Sequence, residues 1–494
     1  MLLLACAAPD DDVKTTPVSP DTSDPAADAA WATLSEHIQD QIDDEAIPGF
    51  QVSIVLDGAL RYTGAFGVTE YGGEDPVTDD TLFRWASVTK MHTATAFLSL
   101  VEEGAIDLEA PVTDVIDVSL SRGYDPDDIT AWHLLTHTSA LPDALDWDCG
   151  TGDRILGEYV ADTQWGLYAP PGSFYNYSNT GFVWAGAMME SVTGQTYADV
   201  MQERVLDPAG MSTATLDAGD AEAGPHATGT TWWEGEPWYY TLEAADCGWS
   251  RPAAWLHATA TDLARTAEWQ LAGGGGVLSA GSVAAMHAQA DTHWTPDESF
   301  QVGYGQFTSD YEGARMVWHD GWVTGFVSTW AIVPDAGFGV AVVSNADWAD
   351  PYAVMYEAID LFVGPTGETP DYTTDPDTWD GYTGTYDDPY TYGSIEVTQS
   401  GNQLLVAFTD FGTTARLYQS AGDYFWIQFE DDSWDSLRFI ADEDGVYRWW
   451  VLRTGVGERV AEEAVAPRPA LPTRPTFHGR WRERPPEGQF RIGG

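Results

Sequence analysis

The chain has 494 residues, 44% of them hydrophobic, enough for two or three domains with real cores. Its formal charge of −57 argues against a nucleic-acid partner, because phosphates would repel such a polyanion. No apolar run approaches the ~20 residues that a membrane-spanning helix requires.

In chain order, the first segment reads Met1-Leu2-Leu3-Leu4-Ala5-Cys6. Leu3-Leu4-Ala5-Cys6 resembles a bacterial lipobox, which predicts an exported lipoprotein acylated on Cys6 and touching the membrane through that lipid. The charged and most of the apolar parts of a signal peptide are missing ahead of it, so the start is expected upstream. Residues 1–30 are accordingly assigned as signal remnant and tether, with Ala7 to Ala30 rich in Pro, Asp, Ser and Thr and without an apolar period. Export makes a disulfide between the two remaining cysteines, Cys149 and Cys247, a candidate, with two free thiols as the alternative.

Residues 31–363 carry the chemistry. Phe50 to Leu56 and Leu60 to Phe66 are apolar runs joined by Asp57-Gly58, a hairpin signature. Next comes Phe83-Arg84-Trp85-Ala86-Ser87, followed by a helical pattern through Val88, Met91, Ala94, Leu98 and Val101 that stops at Gly104. Ser87 thus falls at a helix N-terminus, where free N–H groups favour negative charge. Lys90 is one of only two lysines in the chain, against 19 arginines. Three residues after Ser87 it shares the hydroxyl's helix face. A desolvated lysine exchanges a proton, which a guanidinium does not. Ser328 to Pro334 and Gly337 to Ser344 form a second hairpin, and Tyr352 to Phe362 reads as an amphipathic helix. Strands at both ends with helical material between them give an α+β domain.

A Gly/Pro/Thr/Asp-rich linker spans 364–380. Residues 381–463 contain short alternating segments at Ser394 to Val397, Leu404 to Phe408, Tyr424 to Phe429, Ser436 to Ile440 and Tyr447 to Leu452, separated by turn residues. This is a small all-β domain, a barrel or a sandwich. The tail 464–494 is Pro- and Arg-rich, lacks periodicity and reads as disordered.

Two further constellations join Ser87-Val88-Thr89-Lys90. One is Tyr177-Ser178-Asn179 within Pro171 to Gly181; the other is Trp318-His319-Asp320-Gly321. With Leu134 to Pro142 and Ala258 to Ala264, this ordered set resembles the serine β-lactamase and penicillin-binding-protein superfamily. It is most similar to class C β-lactamases, D-stereospecific peptidases and related esterases. The resemblance covers Trp31 to Val363, and the β domain resembles a lipocalin-like appendage. It implies an antiparallel sheet flanked by helices, with a helical subdomain.

The resemblance also implies roles. Ser87 would be the nucleophile forming an acyl-enzyme. The base is either Tyr177 as a phenolate, its pKa lowered by cations and chiefly by Lys90, or Lys90 itself; the family favours the coupled pair. Asn179 would orient Lys90 and the substrate amide, while His319 and Gly321 would line the substrate strand. The oxyanion hole would be the backbone N–H groups of Ser87 and Trp322. His137 reads as structural, bracing a loop near the cleft. No cofactor or metal is implied, and no zinc cluster or phosphate loop competes for the catalytic role.

The family's β-lactamases usually place a lysine where this chain has His319, giving a fixed cation for the drug's carboxylate. The expectation is therefore a serine hydrolase of small esters or D-residue peptides with poor β-lactam turnover. The alternatives are a catalytically silent binding scaffold and a true β-lactamase.

Overall fold

The computed structural model describes residues 24–460, apart from 121–123, 144–165, 234, 243–247, 288–299, 366–374, 402, 430–433 and 443. Cys6, Cys149, Cys247 and the tail 464–494 lie outside the described residues.

The first described helix, Pro25–Glu45, begins inside the stretch expected to be tether. Asp24 accepts N–H bonds from Ala26 and Ala27, and Pro25 sits where a missing N–H costs nothing. Trp31, Leu34 and Ile38 then bury one face of the helix. A local cap therefore starts the helix ahead of any apolar period, which is why composition alone misplaced the boundary.

The strands in chain order are β1 (Gly49–Leu56), β2 (Ala59–Gly67), β3 (Phe83–Arg84), β4 (Gly229–Trp233), β5 (Glu236–Tyr240) and β6 (His257–Ala258). They continue with β7 (Phe300–Val302), β8 (Phe307–Tyr311), β9 (Ala314–Val323), β10 (Phe326–Val333) and β11 (Phe338–Ser344). Seven of these form one antiparallel sheet in the order β2-β1-β11-β10-β9-β8-β7. The Asp57-Gly58 turn has φ values of 52° and 72°, as a tight hairpin requires. β1, β10 and β11 are buried almost throughout, because helices Ala260–Leu271 and Pro351–Phe362 pack on the sheet. Helix Ala260–Leu271 starts with a capping box in which Thr259 and Asp262 satisfy each other's backbone N–H groups, which explains the Ala258 to Ala264 motif.

Beyond the linker, β12 (Gly384–Asp388), β13 (Gly393–Ser400), β14 (Gln403–Phe408), β15 (Thr413–Ala421), β16 (Tyr424–Phe429), β17 (Trp434–Ala441), β18 (Tyr447–Leu452) and β19 (Gly455–Val460) close into an antiparallel barrel. Its own core includes Tyr382, Tyr386, Phe408, Phe425, Phe439 and Trp450. Closure removes the unpaired edges that a sandwich would keep. The last residues assigned to the linker belong to the barrel, since Pro376–Gly381 forms a 3-10 turn and Trp379 is buried in the barrel core.

The barrel does not hang free. Val451 and Val456, on the β18–β19 hairpin, join the core of the preceding domain. Phe174 meets Trp449 at 5.9 Å between ring centroids, and Tyr168 meets Tyr390 at 5.1 Å. Strand alternation explains the division: Trp450 and Leu452 point into the barrel, and Val451 between them points out.

Candidate active site

Ser87 ends a short segment fixed on both sides. Arg84 pairs with His257 across β3 and β6, Trp85 N–H donates to Leu256 O (2.9 Å), and the Trp85 indole donates to Ala258 O (3.0 Å). Ala86 then takes a left-handed φ of 48°, a conformation an alanine holds only when its surroundings enforce it. This kink delivers Ser87, which remains partly exposed, to the start of helix Thr89–Glu102. From the sheet side, Ser328 of β10 donates its hydroxyl to Trp85 O at 2.8 Å. Opposite Ser328 stands Gly321. A Cβ there would lie 2.3 Å from Trp85 O and 2.5 Å from Ser328 Oγ, so only glycine allows β9 to approach the Ser87 segment this closely.

Lys90 is fully buried. Its Nζ donates to Ser87 Oγ (3.0 Å), Asn179 Oδ1 (2.5 Å) and Ala253 O (2.7 Å). Burial pulls its pKa down to about 7; Asp143 and Asp320 resist that shift and Arg453 adds to it. Asn179 opens helix Asn179–Thr193, which is capped by Ser178. The Asn179 backbone and side-chain amides both donate to Asp143, at 3.0 and 3.1 Å, leaving its carbonyl oxygen aimed at Lys90.

Tyr177 is nearly buried, with Lys90 Nζ 4.9 Å and the Arg453 guanidinium 4.6 Å from its ring centroid. His137 stacks on the same ring at 4.3 Å and accepts the Ser178 N–H on Nδ1. His137 is thus the expected brace, and its positive φ of 55° turns the loop toward Tyr177. The Ser87 hydroxyl lies close enough to lower the pKa of the phenol, although among the described residues Tyr177 Oη has no well-formed hydrogen bond.

One expectation is overturned here. Neighbouring cations were expected to lower the Tyr177 pKa, yet it is raised well above the ordinary tyrosine value. Desolvation outweighs the opposing field of Arg453 and the influence of Ser87. Lys90, whose charge was to do the lowering, is itself driven toward neutrality by the same burial.

His319 is fully buried and neutral: desolvation takes its pKa well below the usual value, and Lys90 and Arg453 add to the shift, while Nδ1 lies 2.5 Å from Asp320 O. Its ring packs on Phe307 at 4.8 Å. Asp320 is nearly buried and accepts from Arg453 Nη2 at 3.1 Å. Trp322 follows on β9, opposite Val327. Ser87, Lys90, Tyr177, Asn179, His319 and Gly321 therefore come together in one cluster. Three members were not foreseen. Asp143 directly follows the Leu134 to Pro142 motif and could have been suspected as a buried carboxylate. The Ala253 carbonyl and Arg453 carried no sequence signal, being a backbone atom and a residue from the other domain. Among the described residues no cluster of side chains could hold a metal ion.

The sequence matches the profile of the Beta-lactamase family over residues 34–363, and that of a domain of unknown function, DUF3471, over 368–453. It is 28% identical over 347 residues to the unguisins hydrolase ungD' of Aspergillus campestris, covering 66% of this chain and 64% of that protein. It is 30% identical over 345 residues to penicillin-binding protein 4 of Amycolatopsis lactamdurans, covering 64% of this chain and 86% of that one. The chain thus spans somewhat less than two thirds of the fungal hydrolase. Among solved structures, that of SurE superposes with a TM-score of 0.69 at 23% identity, over 88% of this chain and 100% of the other, so the two-domain fold is shared.

Proposed function

The chain belongs to the Beta-lactamase family, within the serine β-lactamase and penicillin-binding-protein superfamily, and from that premise we propose that it is a serine hydrolase acting on small esters or D-residue amides. The observation that carries this reading is the 3.0 Å contact between Ser87 Oγ and a buried Lys90 poised to lose its proton near pH 7. A general base works best when its pKa lies near the working pH.

In the proposed first step, neutral Lys90 takes the Ser87 hydroxyl proton as Oγ bonds to the substrate carbonyl carbon, and the carbonyl electron pair moves onto oxygen. The N–H groups of Ser87 and Trp322 would receive that oxyanion, each such donor contributing ~3–4 kcal/mol. Collapse expels the alcohol or amine, which leaves with a proton drawn from the Lys90 ammonium, either directly or through the Tyr177 hydroxyl. Water then adds to the acyl-enzyme by the same proton route, and Ser87 recovers its proton. With its raised pKa, Tyr177 serves as a proton-bearing relay rather than a standing phenolate.

The substrate preference rests on the His-Asp-Gly strand. Buried, neutral His319 supplies no fixed cation, and the guanidinium of Arg453 is engaged by Asp320. A terminal carboxylate therefore has a weaker hold here than a lysine at that position would give. The name of the fungal relative, a hydrolase, is compatible with this reading. Steady-state kinetics with short p-nitrophenyl esters, D-residue amides and nitrocefin test it. The expected result is a kcat/KM for at least one ester or amide ~10²-fold or more above that for nitrocefin. A nitrocefin value near ~10⁶ M⁻¹s⁻¹, within the range of efficient enzymes, would instead make it a β-lactamase.

A further inference from the structure

We propose that the barrel is a working part of the active site, and that Arg453, on the turn between β18 and β19, is a positioning residue holding Tyr177 against Ser87 and Lys90. The proposal rests on the reading of Ser87, Lys90 and Tyr177 as the catalytic group.

The turn grips Tyr177 twice. Tyr177 N–H donates to Arg453 O at 2.8 Å, and the guanidinium lies 4.6 Å from the phenol ring centroid. The other side of the guanidinium is tied to Asp320 of β9 at 3.1 Å, so one residue of the barrel joins the Tyr177 loop to the strand expected to bind substrate. The turn is itself firmly seated. Val451 and Val456 pack into the catalytic domain on either side of it, and a Cβ on Gly455 would come 2.3 Å from the Tyr392 ring, so the chain passes too tightly there for any other residue. Arg453 is 18% exposed and Asp320 only 2% in their side chains, which places this ion pair out of most solvent screening.

Two consequences follow. Without the Arg453 side chain, Tyr177 keeps its His137 face and the bond from its N–H to the residue 453 carbonyl, but its ring loses the guanidinium that fixes its distance from Ser87; a misplacement near 1 Å costs roughly 10²-fold in rate. The second concerns charge. Lys90 faces Asp143, Asp320, His137, His319 and Arg453, and of these Arg453 is the fixed positive group that favours neutral Lys90. Removing it leaves Asp143 and Asp320 less opposed, so the lysine holds its proton to higher pH.

The test uses the full-length protein and three variants: Arg453→Met, Arg453→Lys and Asp320→Asn. Labelling of wild type by a fluorophosphonate comes first. Failure of folded wild-type protein to label would remove the parent reading rather than this one. With labelling established, Arg453→Met is expected to lower kcat for a neutral ester about 10²-fold with KM changed less than about 3-fold. Its acid limb should move to higher pH, and Arg453→Lys should leave that limb near the wild-type position. Unchanged kcat in a folded Arg453→Met protein overturns the proposal. So does a loss confined to KM for carboxylate-bearing substrates, which would make Arg453 a substrate ligand instead. If Arg453→Met fails to fold, Asp320→Asn decides the matter. That variant weakens the tie on the guanidinium from an ion pair to a neutral hydrogen bond, so kcat should fall about 10-fold; a wild-type kcat in that variant contradicts the proposal.

Discussion

Lys90 is where the physical chemistry of the site is most concentrated, and burial sets its behaviour. An ammonium removed from water loses solvation that three hydrogen bonds only partly replace, so its proton is held weakly enough to leave near neutrality. Because the reactive form is neutral, kcat/KM should fall tenfold per pH unit below about 7 and level off above it. A pH–rate profile for a neutral ester checks this, and a rate flat down to pH ~5 would take the base role from Lys90. Its importance was legible in the sequence from its rarity and its spacing from Ser87. The direction of the Tyr177 shift was not legible, because desolvation depends on how completely His137, Phe307 and Arg453 enclose the ring.

At the level of elements, the site is the meeting of a helix start, a capped loop and a sheet edge. The helix 89–102, the β1–β2 and β10–β11 hairpins and the final helix 351–362 were readable from periodicity and turn residues, since local pattern determines them. In the barrel, β12, β15 and β19 escaped notice. β15 is rich in Thr, Ala, Ser and Gln around Leu417 and Tyr418, and β19 runs Gly455-Val456-Gly457-Glu458-Arg459-Val460, where pairing with neighbouring strands rather than propensity makes the strand. Gly321 shows how tightly the elements must fit. Gly321→Ala should push β9 away from the Ser87 segment, costing ~1–3 kcal/mol of stability by overpacking and slowing Ser87 acylation by about 10²-fold. Thermal melting together with labelling rates checks this; an alanine variant of wild-type stability and rate would mean the contact yields easily.

At the scale of the whole molecule, two domains that look independent in sequence both contribute residues to the candidate active site. The Gly/Pro-rich stretch invites division into an enzyme and an appendage, yet the hydrophobic core of the first domain continues through Val451 and Val456 into the barrel. Long-range packing of this kind leaves no local signature, which is why Arg453 could not be picked out among 19 arginines. The catalytic reading itself stands or falls on the covalent bond to Ser87. Intact-mass measurement after reaction with a fluorophosphonate, followed by tryptic mapping, observes that bond directly. Wild type should gain one adduct, carried by the peptide Trp85 to Lys90, while Ser87→Ala gains none and Lys90→Ala gains it at least ~10³-fold more slowly. A folded wild-type protein that takes no adduct, or takes it on another residue, would contradict the assignment of Ser87 as the nucleophile.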